Sequence, residues 1–527
     1  MNRSSRLTVE STAHEAFQLQ LNHMVADSGV SQDVIGMVLA RTSLRAPNET
    51  SRWHLERGSD ARPVDRRVLT QATVSKAVRA LTRRGFLEEG EHQLKSEAED
   101  GRRVRSLESL RFGRGVVIAG VHVEQRGNIP TSITAVLVGL DSTRELAVGS
   151  RDINADDAHG WQGVAHAIRE LVVGLKAQLD ARTRDELQAS VDAADADFDP
   201  VLRERREQEL AAFTPFELFG VGVEVGAPVF DGRIASIART GGATRVDFHG
   251  FEEELQALFT DERNAITPVV IENDVNALAV LAIHEEHYAV PDLAVFGVFD
   301  EGVGGGLVLD GRLRRGGSGT AMEVGHLQVV HIPGTSGAIG SNGGAHQPAQ
   351  GSPRTFSDPC ECGRDGHVDT RATSSRIAGE LGVSFEDALT LNTEKARVTF
   401  RSAGFALGRA IAHVSNIVNP TRIIVYLPAG LARPPKDEPT AAAEYCPAAS
   451  AEVCAAFGNA GRERAQFLTY RPLTKEQTAP LCARAAAVCL LQGFIEHALR
   501  VDGCSFSTNR KADTAVRHDQ YAVSKNP

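Results

Sequence analysis

From about residue 113 onward, the sequence alternates short apolar runs with stretches of helical composition. Each run is rich in valine, isoleucine, leucine or glycine and has the length of a single strand. The runs lie at residues 115–121, 133–140, 219–225, 269–271, 293–299, 305–309 and 422–426. Because strands that alternate with helices form sheets covered by helices, this pattern predicts an α/β fold for most of the chain.

Length and composition exclude several other classes of protein. The chain has 527 residues, of which 42% are hydrophobic and 24% charged, which excludes disordered, collagenous and small disulfide-rich proteins and predicts about three structural units. No membrane-length apolar run occurs, and the opening residues MNRSSRLTVE lack a signal-peptide pattern. Five of the seven cysteines are expected to be reduced thiols, namely Cys446, Cys454, Cys482, Cys489 and Cys504. We therefore expect a soluble cytoplasmic protein that binds no membrane.

Charge is distributed unevenly along the chain. The first 115 residues contain 19 Lys and Arg against 15 Asp and Glu, whereas the whole chain has a net charge of −11. A basic N-terminal module therefore precedes an acidic body. This distribution favours nucleic-acid binding by the N-terminal module alone.

Residues 69–85 predict one helix with an apolar and a basic face. Thr70 is suited to cap its N-terminus, and Gly85 is suited to the left-handed conformation that ends helices. The apolar stripe consists of Val74, Ala77, Val78 and Leu81. The residues expected to contact DNA are Gln71, Thr73, Lys76, Arg79 and Arg83.

A basic hairpin is predicted after this helix. Asp100-Gly101 favours a tight turn, and Arg102, Arg103 and Arg105 follow it. Helix and hairpin together predict a winged helix-turn-helix, in which the helix enters the major groove and hairpin arginines, Arg102 and Arg103 above all, contact phosphate or the minor groove. The alternative is an amphipathic surface helix whose basic side chains are merely solvated.

Two motifs in the α/β part place polar side chains where they can bind a sugar. Glu-Asn-Asp-Val-Asn occupies residues 272–276 at the end of a predicted strand. A carboxylate there can accept a hydroxyl hydrogen bond and act as a base at neutral pH, although an Asn-Asp pair can also simply cap a turn. Residues 301–326 form a glycine-spaced stretch that ends in Glu323-Val-Gly-His326. Glycines in such a stretch allow backbone to approach a ligand closely.

A third motif carries metal-binding side chains. Cys360-Glu-Cys362 is followed by His367 and Asp369. Zinc accepts thiolate and imidazole ligands in tetrahedral sites. The alternative is a surface loop with two free thiols, which would be prone to oxidation.

These motifs, in this order, resemble those of the ROK family of repressors and sugar kinases; a fourth match is Asn419-Pro420 before residues 422–430. The resemblance implies a two-lobed actin-like ATPase or ribonuclease H-like body. It implies sugar binding by Asn273, Asp274, Glu323, His326 and Asp369. In a family kinase Asp274 would be the general base. It implies a structural zinc held by His326, Cys360, Cys362 and His367, with His331 or His346 as possible substitutes.

The resemblance also indicates that the phosphate-binding half of a kinase site is missing. Family kinases open the first lobe with Asp-x-Gly-x-Thr, whereas residues 120–128 here read GVHVEQRGN. Glu301 stands where kinases carry a small residue, and a carboxylate there would repel a nucleotide. Tyr426-Leu427-Pro428 is expected to follow the strand where kinases have paired glycines. We therefore expect no catalysis and no ATP.

The sequence as a whole predicts a sugar-responsive regulator of transcription, most simply a repressor that binds operator DNA as a homodimer or homotetramer. Its expected parts are a winged helix-turn-helix at 1–112, a first lobe at 113–270 with a helical insertion at 181–212, a second lobe at 271–477, and a flexible tail at 505–527. A C-terminal helix at about 478–500 is expected to return to the first lobe. An active sugar kinase, a constitutive DNA-binding protein and a dimerisation platform are the alternatives.

Overall fold

The structure is a computed structural model. It describes residues 9–43, 50–51, 55, 69–95, 106–126, 129–141, 145–153, 161–196, 199–230, 233–234, 250–260, 266–286, 290, 292–329, 360, 366–432, 440–456 and 467–500. Several positions singled out from the sequence lie outside the described residues. They are Asp100, Gly101, Arg102, Arg103, Arg105, His331, His346, Cys362 and the tail 505–527.

Helices and strands alternate along the described ranges as the apolar runs predict. The helices are α1 (Val9–Ser28), α2 (Gln32–Ser43), α3 (Gln71–Arg83), α4 (Trp161–Ala196), α5 (Pro200–Ala212), α6 (Phe251–Leu258), α7 (Asp274–Glu285), α8 (Asp369–Ala372), α9 (Ser374–Leu381), α10 (Phe385–Thr390), α11 (Glu394–Val418), α12 (Ala429–Ala432), α13 (Tyr445–Ala456) and α14 (Lys475–Arg500). The strands are β1 (Thr50–Ser51), β2 (Leu87–Lys95), β3 (Ser106–Phe112), β4 (Val116–Arg126), β5 (Ile129–Gly139), β6 (Glu145–Asp152), β7 (Glu217–Val225), β8 (Val229–Phe230), β9 (Arg233–Ile234), β10 (Val269–Asn273), β11 (Leu293–Val298), β12 (Val303–Leu309), β13 (Arg312–Leu313), β14 (Arg422–Pro428) and β15 (Leu468–Leu473).

The N-terminal part combines helices α1–α3 with a small antiparallel sheet of order β1-β3-β2. Helix α3 begins after Thr70, whose hydroxyl accepts a hydrogen bond from the N–H of Thr73 at 3.2 Å. The chain leaves the helix through Gly85, which has φ +73°. The predicted apolar stripe of α3 is buried. Strands β2 and β3 pair as a hairpin, and the turn that connects them lies outside the described residues.

Two five-stranded sheets form the α/β body, with orders β10-β7-β4-β5-β6 and β13-β12-β11-β14-β15. In the first sheet β4, β5 and β6 are antiparallel, and β7 and β10 continue from β4 in parallel. The second sheet repeats this plan with β11, β12 and β13 antiparallel and β14 and β15 parallel. The body therefore consists of two lobes with the same sheet topology.

Two features differ from the sequence-based expectation. Strands β6 and β15 have no matching apolar run, because all their side chains are exposed or half-buried and none is fully buried. Strand β14 extends through Pro428, so Tyr426-Leu427-Pro428 belongs to the strand and does not follow it. The predicted strand end was wrong because the parallel pairing with β15 continues to Leu473.

Segment 181–212 is helical, as its composition predicts. Helix α4 runs without interruption from the first lobe into this segment, and α5 follows it. No residue of α5 is buried, because ion pairs along its surface, such as Arg203 with Glu207, take the place of apolar contacts.

Helix α14 is the core helix of the molecule. It packs against β4, β7 and α7 of the body and against α1 and α2 of the N-terminal part. By length and composition alone it is the candidate membrane span among the described helices, and most of it is buried inside the protein. Its apolar composition therefore reflects packing on several sides.

Candidate functional site

Asn273 and Asp274 lie where strand β10 ends and helix α7 begins. The Asn273 side-chain oxygen accepts hydrogen bonds from the N–H groups of Val275 and Asn276, both at 3.1 Å, and its amide nitrogen donates to the Ala227 carbonyl at 3.3 Å. Asn273 is thus the N-terminal cap of α7, the capping role that the sequence left open. This cap fixes the direction in which the neighbouring carboxylate of Asp274 points.

Asp274 is the most strongly perturbed acid of the site. Desolvation raises its pKa to about 7, and the carboxylate of Glu224 adds to the increase. The hydrogen bond from the N–H of Val275 and the charge of His122 lower the pKa of Asp274. The charge of Glu323 raises this pKa further. A carboxyl with this pKa can exchange a proton near neutral pH.

Glu323, His326 and Asp369 come together from two separate chain segments. Desolvation raises the pKa of Glu323; His326 opposes this change and Asp369 adds to it. Glu323 Oε2 lies 4.0 Å from His326 Nε2. The Asp369 carboxylate accepts a hydrogen bond from the N–H of Val303 at 2.7 Å, which ties α8 to the start of β12.

Three of the predicted zinc ligands meet beside this group. His326 Nδ1 lies 3.4 Å from His367 Nδ1 and 3.5 Å from Cys360 Sγ. The ligand atoms of the three residues all lie within 4.8 Å of one another, and Cys360 and His367 are buried. Two imidazoles and one thiol at these distances fit the first coordination shell of zinc. Cys362, the predicted fourth ligand, lies outside the described residues, and its role in the zinc site stays a prediction.

The glycine-spaced stretch contains β12, which pairs with β11 as a hairpin, and it leads to the turn at Val324–His326. A Cβ atom at Gly304 would lie 2.5 Å from a Val275 methyl group, and one at Gly306 would lie 2.6 Å from the Val275 carbonyl oxygen. At these two positions the close approach that the glycines permit is to helix α7 of the protein itself. The hairpin is therefore packed directly against the helix that carries Asp274.

Sequence reasoning missed two buried charged groups next to this site. His122 Nδ1 on β4 hydrogen-bonds to the fully buried Glu224 on β7. Burial by itself would lower the pKa of His122, but Glu224, Asp274 and Glu124 outweigh this effect and raise it. A charged residue inside the apolar run 219–225 was the signal that could have found Glu224, because charge is rare in a buried strand.

The second missed group is an ion pair behind Asn273. Glu272, 1% exposed, accepts hydrogen bonds from the backbone N–H of Asn273 at 2.9 Å and the Asn276 side chain at 3.1 Å. Its other oxygen lies 2.5 Å from Arg315 Nη2. The pair borders a cavity of about 430 Å³ between β10, α14 and the Ala13–Phe17 stretch of α1. Arg315 thus lines the same cavity as Ala13 and Phe17 of the N-terminal part.

The segment that lacks the kinase phosphate motif in sequence is mostly paired strand. Strand β4 runs to Arg126 and pairs with β5 up to Ile129, and residues 127 and 128 lie outside the described residues. Glu301 is exposed between β11 and β12. Gly430, after β14, is covered by Leu389, whose methyl group would lie 2.4 Å from an added Cβ atom.

The residues predicted to contact DNA lie on one side of α3. Gln71, Lys76, Arg79 and Arg83 are exposed and Thr73 is half-buried. The opposite side of the helix packs into a core that also contains Phe219 and Phe494 of the body. The structure therefore separates a basic outer face from an apolar inner face, and it describes no position for Arg102 and Arg103.

Comparison with known proteins gives one family match. Residues 211–427 match the model of the ROK family, so the resemblance inferred from the motifs is confirmed. A glucokinase from Halalkalibacterium halodurans is 29% identical over 191 residues, covering 31% of this chain. The match covers 50% of the glucokinase, so the chain spans about half the length of this relative.

Solved structures support the fold. The crystal structure described as a ROK family transcriptional regulator, a homologue of the E. coli MLC protein, has a TM-score of 0.52 at 17% identity and covers 89% of this chain and 99% of its own. A ROK hexokinase from Thermus thermophilus has a TM-score of 0.42 at 18% identity, covering 70% of this chain and 97% of its own. The first similarity supports the actin-like two-lobed fold; the second is too low to carry an inference.

Proposed function

The chain contains a ROK family domain at residues 211–427, and from this premise we propose that it is a sugar-responsive, DNA-binding regulator of transcription, most simply a repressor. In this proposal the body binds a sugar without catalysis, and the N-terminal part is a winged helix-turn-helix that binds operator DNA. The protein acts in the cytoplasm as a homodimer or homotetramer, because two recognition helices are needed to read a two-fold symmetric operator.

The observation that carries the proposal is the division of helix α3 into two faces. Its apolar residues are buried in a core shared with the body, while Lys76, Arg79 and Arg83 are exposed. A helix held rigidly in this way presents three cations to the phosphates and base edges of a major groove. The paired strands β2 and β3 lie beside it in sequence and supply the wing.

The proposed sugar site consists of Asn273, Asp274, Glu323, His326 and Asp369. Carboxylates and imidazole suit sugar hydroxyls, which both donate and accept hydrogen bonds. His326, Cys360 and His367, completed by Cys362, hold a structural zinc that fixes His326 beside Glu323. When bound, the zinc supplies rigidity to the segment between β12 and α8.

Helix α14 provides a physical route between the two sites. Cys482, near its start, lies close to Glu224 beside Asp274, and Phe494, near its end, contacts Phe17 of α1 at a ring-centroid distance of 5.4 Å. A small movement of the lobes around a bound sugar would tilt this helix and shift the N-terminal part with it. Operator affinity falls if the two recognition helices no longer match both half-sites.

Loss of kinase activity follows from the missing phosphate clamp. Phosphoryl transfer relies on positioned backbone and magnesium charges around the phosphates. The sequence GVHVEQRGN at residues 120–128 lacks the Asp-x-Gly-x-Thr of the family kinases, and Glu301 is exposed between β11 and β12. Asp274 could still accept a proton as a base, but in this proposal the site binds no phosphate donor.

The DNA half of the proposal is tested with a fragment recovered by capture and sequencing of genomic DNA bound to the purified chain. Arg79→Ala is expected to weaken binding about tenfold or more and to reduce the slope of log affinity against log salt by about 1. Arg205→Ala on the exposed helix α5 removes the same charge from a distant surface and is expected to leave both quantities unchanged. Equal losses in the two variants would contradict a specific role for α3.

The sugar half is tested by titrating hexoses and N-acetylhexosamines against the DNA complex and against thermal unfolding. One sugar is expected to raise Tm and to change operator affinity, and Glu323→Gln is expected to abolish both responses. The same sugars are incubated with ATP and magnesium. Phosphorylation of a hexose at enzymatic rates would establish the kinase alternative, and the absence of any sugar response would leave a constitutive DNA-binding protein.

A further inference from the structure

A second group of metal-type ligands lies near Asp274, separate from the zinc residues His326, Cys360 and His367. His122 comes from β4, Glu224 from β7 and Cys482 from α14, and their ligand atoms all lie within 4.8 Å of one another. His122 Nδ1 contacts Glu224 Oε1 directly. Three different elements, far apart in sequence, therefore direct an imidazole, a carboxylate and a thiol at one point.

The closeness of Cys482 to the sheet is built into the backbone. Glycines occupy the positions of β4 and β7 that face α14: a Cβ atom at Gly120 would lie 1.8 Å from the Ala483 carbonyl oxygen, and one at Gly222 would lie 1.9 Å from that of Ala486. At these two positions the backbone of α14 contacts the backbone of the strands with no side chain between them. This contact holds the Cys482 thiol within reach of His122 and Glu224 without any movement of the helix.

Glu224 supplies a second, independent observation. Its side chain is fully buried, and among the described residues its Oε2 atom has no hydrogen-bond partner, although Oε1 is bound to His122. A buried carboxylate oxygen without a hydrogen-bond partner destabilises the folded state. A cation bound between Glu224, His122 and Cys482 would remove this cost, which a simple His–Glu ion pair does not.

We propose that His122, Glu224 and Cys482 form a binding site for a divalent transition metal, zinc in particular, separate from the site of His326, Cys360 and His367. One imidazole, one carboxylate and one thiolate match the ligand types that zinc takes. Binding replaces the proton of the Cys482 thiol and, where His122 is charged, its imidazolium proton, so up to two protons leave for each metal bound.

Asp274 lies next to this site and connects it to the proposed sugar site. The Asp274 carboxylate affects the pKa values of both His122 and Cys482 by its charge. A metal ion there would stabilise ionised Asp274 and lower its pKa from about 7. The ion would thereby keep Asp274 as a hydrogen-bond acceptor for a sugar hydroxyl at neutral pH. This consequence depends on the proposed sugar site; the metal site itself does not.

The test uses the full chain with Cys360→Ser and Cys362→Ser, so that the other proposed zinc site cannot contribute. After chelator treatment and dialysis, cobalt is added as a spectroscopic substitute for zinc. We expect one equivalent of cobalt to bind with a thiolate-to-cobalt charge-transfer band in the near ultraviolet, and zinc to displace it. The pH of a weakly buffered sample is expected to fall on binding.

Cys482→Ser is expected to abolish the charge-transfer band, whereas Cys489→Ser, which changes another buried cysteine of α14, is expected to retain it. Glu224→Gln, close in shape to the native side chain, is expected to weaken cobalt binding at least tenfold with the band still visible at saturation. No band in the background chain, or a band that survives Cys482→Ser, would overturn the proposal. Should Cys482→Ser fail to fold, unchanged affinity in Glu224→Gln would overturn it equally.

Discussion

Asp274 shows how far single residues depend on their neighbours in this protein. It stands at the N-terminus of a helix, where a negative charge is normally favoured. Desolvation and the carboxylates of Glu224 and Glu323 nevertheless raise its pKa to about 7, against the opposing effect of His122 and the Val275 N–H. Its charge state at neutral pH is therefore set first by its desolvation and then by the neighbouring carboxylate of Glu224.

The raised pKa of Asp274 predicts a specific pH dependence of stability. Because the folded state binds this proton up to about pH 7 and the unfolded chain releases it near pH 4, folding loses stability as pH rises between these values. In metal-free protein, the difference in unfolding free energy between wild type and Asp274→Asn should fall across this window, by at most about 1.4 kcal/mol per pH unit. Urea unfolding at a series of pH values measures it. A difference that stays constant from pH 4 to 7 would contradict the shifted pKa.

Gly222 predicts a steric effect at a single position. A Cβ atom there would lie 1.9 Å from the Ala486 carbonyl oxygen of α14. Room for this atom requires the backbones of β7 and α14 to move apart, which would disturb the packing of the helix on the sheet. Gly222→Ala should therefore destabilise the protein by about 3 kcal/mol. Gly174→Ala on helix α4 has nothing within 4 Å of the added atom and should stabilise it by up to about 1 kcal/mol. Thermal unfolding of the two variants gives the comparison, and similar Tm values would refute the close contact.

Among the elements, α3 is buried on one side and exposed on the other, and the exposed side is the one proposed to contact DNA. Its apolar stripe is buried, whereas Gln71, Lys76, Arg79 and Arg83 on the other face are exposed. The N-terminal cap therefore matters more here than in a helix buried on all sides. Thr70 supplies this cap through Thr73.

Removal of the cap should weaken α3 without touching its basic face. Thr70→Ala is expected to cost about 1 kcal/mol of unfolding free energy, and Thr70→Asn is expected to cost much less, because Asn caps helices well. Thr82→Ala, an exposed threonine at the other end of the same helix, is the matched control and should change stability little. Chemical denaturation of the three variants tests the ranking, which a loss in Thr82→Ala equal to that in Thr70→Ala would contradict.

At the scale of the whole molecule, the N-terminal part and the first lobe are joined by one hydrophobic core. Phe17 of α1, Phe86 before β2, Phe219 of β7 and Phe494 of α14 belong to this core. Phe494 lies 4.9 Å from Phe219 and 5.4 Å from Phe17 between ring centroids, and Phe86 lies 5.2 Å from Phe219. Since helix α3 packs into the same core, the N-terminal part is continuous with the first lobe in its packing.

This shared core predicts that the two parts unfold together. The chain has two tryptophans, Trp53 in the N-terminal part of the sequence and Trp161 at the start of α4. The single-tryptophan variants Trp161→Phe and Trp53→Phe should therefore each unfold in urea with a fluorescence transition that coincides with the loss of helix signal. A transition of Trp53 at clearly lower urea than that of Trp161 would show that the N-terminal part is independently unstable.

Local patterns in the sequence were sufficient for much of this description. The apolar runs predicted most strands of both sheets, and the 3.6-residue spacing of Val74, Val78 and Leu81 predicted the buried side of α3. The weakly apolar edge strand β6 escaped notice, because an edge strand that is half exposed carries little hydrophobic signal. The motif residues Glu323 and His326 were recognisable because they lie within one short, glycine-spaced segment.

What the sequence determined by itself was therefore the class of fold, the two-faced helix α3 and the residues of the motifs, because each depends on neighbours a few positions away. Only the tertiary structure decided that Glu224 meets His122 and Cys482, that Arg315 pairs with Glu272, and that Phe494 joins both parts of the molecule. These contacts depend on strand register and on the packing of α14 against glycine backbone. Such geometry arises between segments more than forty residues apart, and the spacing of side chains along the chain does not encode it.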